Sequence, residues 1–255
     1  MSTKVDERKA LYDTRLDRDT AMTLAAQEYA LFAATLADLT DEEWQTPTGC
    51  PGWTVRDIAG HTLGMAEFAA SLPVMARQLV RSELAAKKSG KLSIDELTDL
   101  QVRKHAHLGT ADLVAALERT GPKAAAARRR RPALLRSIAV DEESPDGTPE
   151  RWKIGFLFDT ILTRDPWMHR SDIADALGRP MEVSPKHDGV LVADVVAEWA
   201  GRHGQSYDLT LTGPAGGHWS SGADGEVISM DAEQFCRIVS GRGEGSGLMT
   251  TWVPF

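Results

Sequence analysis

Three side chains in this sequence have the types and spacing to share one metal ion. His61 stands alone in the run Thr54-Val55-Arg56-Asp57-Ile58-Ala59-Gly60-His61, and much further on Asp165 and His169 lie four apart. Four residues make about one helical turn, so a helix over Arg164 to Ala176 projects Asp165 and His169 from the same face. Two neutral imidazoles and a carboxylate suit Zn²⁺, or Ni²⁺, Co²⁺ or Fe²⁺, and three protein ligands leave positions open for water or substrate.

The elements that must position these residues read as mostly helical. Leu24, Ala25, Tyr29, Phe32 and Leu36 recur at helical spacing, which predicts a long amphipathic helix over Asp19 to Leu39. Thr40 with Glu43 reads as a capping box opening a short turn to Trp44. The stretch Thr46 to Trp53 is turn-rich, and Thr54 is a good N-cap with Asp57 at N3. His61 then lies two turns inside a new helix, on the face shared by Ile58, Thr62 and Met65, and points inward.

Further helices are predicted over Pro73 to Ala86, Ser93 to His107 and Thr110 to Glu118. His105 and His107, two apart, face different sides and are expected in solvent. Pro122 to Ile138 reads as a separate helix-forming stretch with Arg128 to Arg131 as its solvated basic end. Asp141 to Pro149 reads as a polar loop, and helical patterning resumes at Glu150 and runs toward Gly178.

The character changes there. Arg179-Pro180 and Ser184-Pro185 mark a linker, followed by a helix over Asp188 to Arg202. Strands are expected at Tyr207 to Thr212, His218 to Ser220 and Glu226 to Met230, and Asp231 caps a helix over Ala232 to Ser240. The expected division is a helical bundle over residues 1–180 and a small α+β domain over 181–255.

Composition narrows the function classes. The chain has 255 residues with 29 Lys and Arg against 37 Asp and Glu, a formal charge of −8, which opposes binding to nucleic acid or acidic membranes. Two cysteines, Cys50 and Cys236, cannot form a disulfide scaffold, and Met1 to Thr20 is dense in charge with no apolar signal core. No apolar run reaches the roughly 18 residues that span a bilayer. The expectation is a reduced, cytoplasmic protein with no membrane partner.

Several motifs carry a family resemblance. Leu39 to Trp44, Thr46-Pro47, Cys50-Pro51-Gly52-Trp53-Thr54-Val55-Arg56-Asp57 and His61 resemble the N-terminal half of the mycothiol-dependent maleylpyruvate isomerase family, within the DinB-like metalloprotein superfamily. Arg164-Asp165-Pro166-Trp167-Met168-His169-Arg170-Ser171-Asp172 is similar to that family's second metal-binding helix. Leu209 to Pro214 and Phe235 to Arg242 are similar to its sterol-carrier-like C-terminal domain.

The resemblance implies a mainly α fold: a DinB-like antiparallel helical bundle, then a small α+β C-terminal domain. It implies a divalent metal, Zn²⁺ first, on His61, Asp165 and His169, with mycothiol as the thiol cofactor. It also places a C-terminal arginine, Arg237, at the metal cleft, where its fork could hold a carboxylate; a surface arginine near a helix C-terminus is the other reading. Asp165 keeps two readings as well. Pro166 follows it, so the helix either kinks there or begins there, and in the second case Asp165 is an N-cap that needs no metal. Cys50, in a Pro-Gly turn, reads as a small half-buried residue, and Cys236 as a core residue beside Phe235 and Ile238.

The function this implies is metal-dependent chemistry in which a low-molecular-weight thiol, held as thiolate, attacks a small electrophile. Addition to a double bond, rotation and elimination would make an isomerase; release of the adduct would make a thiol S-transferase. The alternative is a non-catalytic metal-binding or small-ligand-binding protein of the same fold.

Overall fold

The computed structural model describes residues 10–255. Of the charged opening read at Met1 to Thr20, residues 1–9 lie outside the described part. The fold is mainly α, with a small α+β portion at the C-terminal end.

Helix α1 (Arg18–Ala37) is capped by Asp17, whose carboxylate accepts from the backbone N–H groups of Asp19 and Thr20. It buries the predicted stripe, with Phe32 and Leu36 fully enclosed. Thr40 and Glu43 exchange reciprocal hydrogen bonds ahead of a 3₁₀ turn, Glu43–Gln45. Helix α2 (Val55–Ala70) opens on a capping box of Thr54 and Asp57. Helices α3 (Leu72–Ser89) and α4 (Ser93–His105) form a hairpin against α2.

Helix α5 (Thr110–Arg129) continues through Pro122, so it joins the helix read over Thr110 to Glu118 to the first part of the stretch read over Pro122 to Ile138. Packing against α1 and α2 overrides the local cost of proline. Gly121 permits that packing, because a Cβ built there would lie 2.5 Å from Tyr29 Cβ on α1.

The end of α5 corrects a second expectation. Arg128 is fully buried rather than solvated. It donates to the carbonyls of Phe158 and Leu162 and to Thr163 Oγ1. After the short helix α6 (Ala133–Arg136), strands β2 (Ala139–Glu143) and β3 (Pro149–Lys153) pair antiparallel, and β1 (Ala10–Tyr12) adds parallel to β3. A hairpin thus stands where the sequence suggested a loop and the start of a helix. The buried member of β3 is Glu150, held by Arg202 and Trp152 Nε1, so the strand has no apolar alternation to announce it.

Helix α7 (Ile154–Phe156) leads into a π-helical turn, Leu157–Ile161, and then α8 (Leu162–Ala176). Pro166 sits inside α8 and can offer no N–H to the Leu162 carbonyl, four residues back. The Arg128 guanidinium supplies that carbonyl's hydrogen bond at 3.1 Å. Asp165 lies within the helix, whose N-cap is Ile161, so the N-cap reading of Asp165 does not hold.

Helix α9 (Asp188–His203) precedes strands β4 (Tyr207–Thr212), β5 (Gly217–Ser221) and β6 (Glu226–Asp231), and α10 (Ala232–Val239) follows. β4 is central, antiparallel to β5 and parallel to β6. Trp167 and Met168 of α8 share one core with Trp199, Leu209, Phe235 and Cys236. Buried ions join the same parts: Arg164 reaches Asp194 and Glu198 of α9, and Arg170 reaches Glu28 of α1 and Asp188. His187, which carried no motif, is fully buried and bonded to Glu28. Helix α8 is therefore clamped from both sides, which fixes the residues it presents to the site.

Candidate metal centre

Helices α2 and α8 bring His61, Asp165 and His169 together. One ligand atom from each lies within 4.8 Å of the others. Asp165 Oδ1 is 3.4 Å from His61 Nε2 and 3.5 Å from His169 Nε2. The two imidazole rings meet edge to face, with centroids 5.2 Å apart, and Trp53 from the turn before α2 lies 5.1 Å from the His61 ring.

The other nitrogen of each ring is occupied. His61 Nδ1 is 2.8 Å from Gln101 Oε1 on α4, and His169 Nδ1 is 2.9 Å from Asp172 Oδ2, one turn further along α8. Both partners are oxygens that accept, so each Nδ1 carries the proton and each Nε2 turns a lone pair toward Asp165. Two lone pairs and a carboxylate facing one another repel unless a cation sits among them. Asp165 Oδ2 is buried and has no hydrogen-bond partner among the described residues. This donor set fits a divalent metal of the zinc type, with the outer oxygens holding each ring as such sites require.

Electrostatics agree with an ionised Asp165. Burial pushes its carboxyl up, and the positive charge of His61 and His169 in their protonated forms outweighs that and lowers it; a cation held between neutral rings would act on the carboxylate in the same direction. Asp172 behaves likewise: burial opposes ionisation, and the bonds from His169 and Arg242 hold it far down.

Arg237 reaches this wall of the site from α10. Its fork is already engaged, with Nη1 on Ser171 and Asp172 and Nη2 on the exposed carboxylate of Asp175 at 2.9 Å. Arg242, in the loop after α10, is the closer partner of Asp172, at 2.7 and 3.0 Å. Cys50 Sγ lies 3.4 Å from Asp172 Oδ2, and burial with that carboxylate pushes its thiol up to about 11, which removes it as a ready nucleophile. Cys236 is in the core as expected.

Gln101, Asp172 and Arg242 were not singled out from the sequence. Asp172 had a signal, the i, i+3 spacing from His169; Gln101 is 40 residues from His61 and had none. His105, expected in solvent, is buried on α4 and bonded to the Gly60 carbonyl at 3.0 Å, because α4 packs on α2 through that face. Glu67 points away from the centre, to Lys104 and His105.

The site opens into a cavity of about 1150 Å³. Phe68, Leu79, Leu157 and Phe255 are among its apolar walls, and Arg237 and Arg242 its basic one. Among the described residues no helix is long and apolar enough to cross a membrane.

Comparison with known proteins places the fold. Two crystal structures, of a mycothiol-dependent maleylpyruvate isomerase and of its histidine-to-alanine mutant, share the fold with TM-scores of 0.54 and 0.53 at 17% and 16% identity. The first covers 91% of this chain and 92% of its own, the second 89% and 90%. An uncharacterized protein found in two strains of Mycobacterium tuberculosis is 28% identical over 238 residues, 82% of this chain and 80% of the relative. Residues 25–174, from the middle of α1 to near the end of α8, match the family described as mycothiol maleylpyruvate isomerase N-terminal domain. The chain belongs to that family.

Proposed function

We propose that His61, Asp165 and His169 hold one divalent cation, Zn²⁺ by the chemistry of the donors, and that the protein is an enzyme acting with mycothiol on a small electrophile. The observation that carries this is the convergence of two outward lone pairs and a partnerless carboxylate oxygen at the wall of a large cavity. A divalent cation there supplies Lewis acidity that keeps a bound thiol as thiolate at neutral pH, where a free thiol, with a pKa near 8.5, is mostly protonated.

The chain's own residues do the rest. Gln101 and Asp172 fix the two rings, and Trp53 packs over both of them. Phe68, Leu157 and Phe255 present apolar surface that limits water around the reacting atoms. Arg237 is the proposed catalytic residue: by releasing the exposed Asp175 it can receive a carboxylate of the electrophile while Ser171 and Asp172 keep its other arm in place. Residues 1–180 supply the metal ligands and residues 181–255 the arginine wall, a division of labour we also propose.

The reaction is isomerisation of a maleylpyruvate-like double bond or conjugation of the thiol. The test is turnover of both substrate types by the purified chain, with mycothiol present or absent and with or without chelator. Thiol-dependent turnover abolished by chelator and by His169→Ala is the expected result. Turnover independent of thiol overturns the proposal, and metal binding without turnover returns the chain to a binding role.

A further inference from the structure

The orientation of His61 is decided three hydrogen bonds away from it. Gln78 on α3 donates from Nε2 to the backbone carbonyl of Gly64 at 3.3 Å. A carbonyl only accepts, so the Gln78 amide must turn its NH₂ toward Gly64 and its Oε1 the other way. That Oε1 accepts from Gln101 Nε2 at 2.8 Å, and Met65 Sδ accepts from the same nitrogen at 3.0 Å. With its NH₂ committed to these two acceptors, Gln101 has only Oε1 left for His61 Nδ1, 2.8 Å away. The ring must then carry its proton on Nδ1 and leave Nε2 bare.

This arrangement works against the choice the ring would make alone. Nε2 lies 3.4 Å from Asp165 Oδ1, so a proton on Nε2 would be drawn to that carboxylate and would close the site. Gln78 is 3% exposed and Gln101 is fully buried, so water cannot easily replace either partner. Gly64 contributes more than its carbonyl. A Cβ on it would lie 2.5 Å from both Cβ and Cγ of Gln101, so only glycine lets α4 bring the amide this close.

We propose that the Gly64 carbonyl, acting through Gln78 and Gln101, sets the tautomer of His61 and keeps Nε2 free as a metal ligand. Gln78 and Gln101 are positioning residues of the centre. The consequence for metal affinity rests on the metal reading given above, but the tautomer itself does not.

The experiment reads the tautomer first, in the metal-free full-length chain at pH 8, by ¹⁵N NMR of the imidazole nitrogens, with the His61 signals identified by their loss in His61→Ala. The expected wild-type result is a proton on Nδ1. In Gln101→Leu the proton moves wholly or partly to Nε2. Gln78→Leu, two links from the ring, does the same because the Gln101 amide is then free to flip, and it keeps the test alive if Gln101→Leu fails to fold. Zn²⁺ affinity, measured by competition with a chelator, falls about 10- to 100-fold in both variants.

A proton on Nε2 in the wild type, or an unchanged tautomer in both leucine variants, overturns the proposal. If the tautomer responds as stated but zinc affinity does not move in any variant, His61→Ala included, the metal reading fails and the relay stands.

Discussion

Replacing Arg128 with methionine should destabilise the protein by about 2–4 kcal/mol, although it removes a buried cation. Among the described residues Arg128 pairs with no carboxylate; its guanidinium serves the carbonyls of Phe158 and Leu162 and Thr163 Oγ1, with the Tyr29 hydroxyl also beside it. Thr163 Oγ1 also bonds the Asp159 carbonyl, so its loss is partly covered. The Leu162 carbonyl has no such cover, since Pro166 cannot serve it. Each of the two charge-assisted bonds lost at these buried carbonyls is worth roughly 1.5–3 kcal/mol, giving a gross loss of about 3–6 kcal/mol. Relief from burying the guanidinium takes back part of this; burial alone lowers the Arg128 pKa, a sign that the charged form is under pressure there.

The assay is urea denaturation followed by circular dichroism. With an m value of about 3 kcal/mol/M, the midpoint falls by about 1 M. Asp165 sits beside Pro166 on the segment Arg128 braces, so Zn²⁺ affinity should fall as well, and Arg128→Lys should recover only part of both losses. An unchanged midpoint, or a more stable variant, would refute the claim that Arg128 is what makes the π turn and the internal proline tolerable.

Gly121→Ala should destabilise the chain by about 1–3 kcal/mol by thermal or urea melting, because the new methyl meets Tyr29 Cβ at 2.5 Å and α1 must move away from α5. Cys50 should resist alkylation: with its thiol pushed up to about 11, the rate of modification by iodoacetamide in metal-free protein should still be rising at pH 9–10, where an ordinary cysteine has levelled off. A plateau by pH 9 would contradict the burial and the Asp172 contact that cause the shift.

The parts of the site that were legible in the sequence are those set by local rules. Thr54 and Asp57 cap α2 and so fix which face carries His61, and a four-residue step places Asp165 and His169 on one side of α8. The illegible parts depend on distant polar partners. Gln101 gains its role only because α4 crosses α2, and Arg242 because its loop folds back on Asp172. Arg128 and Glu150 misled for the same reason, since a charged residue reads as solvated until the groups that satisfy it are known. Pro166 was ambiguous because the sequence cannot show that a guanidinium from α5 serves the carbonyl the proline leaves unbonded.

The central claim is that His61, Asp165 and His169 bind one ion. It is tested most directly by measuring metal per chain by inductively coupled plasma mass spectrometry for the wild type and for His61→Ala, Asp165→Ala and His169→Ala, each checked for folding by circular dichroism. The account predicts close to one equivalent of a divalent metal, zinc foremost, in the wild type and a large loss in all three folded variants. Metal content unchanged across the three would contradict it.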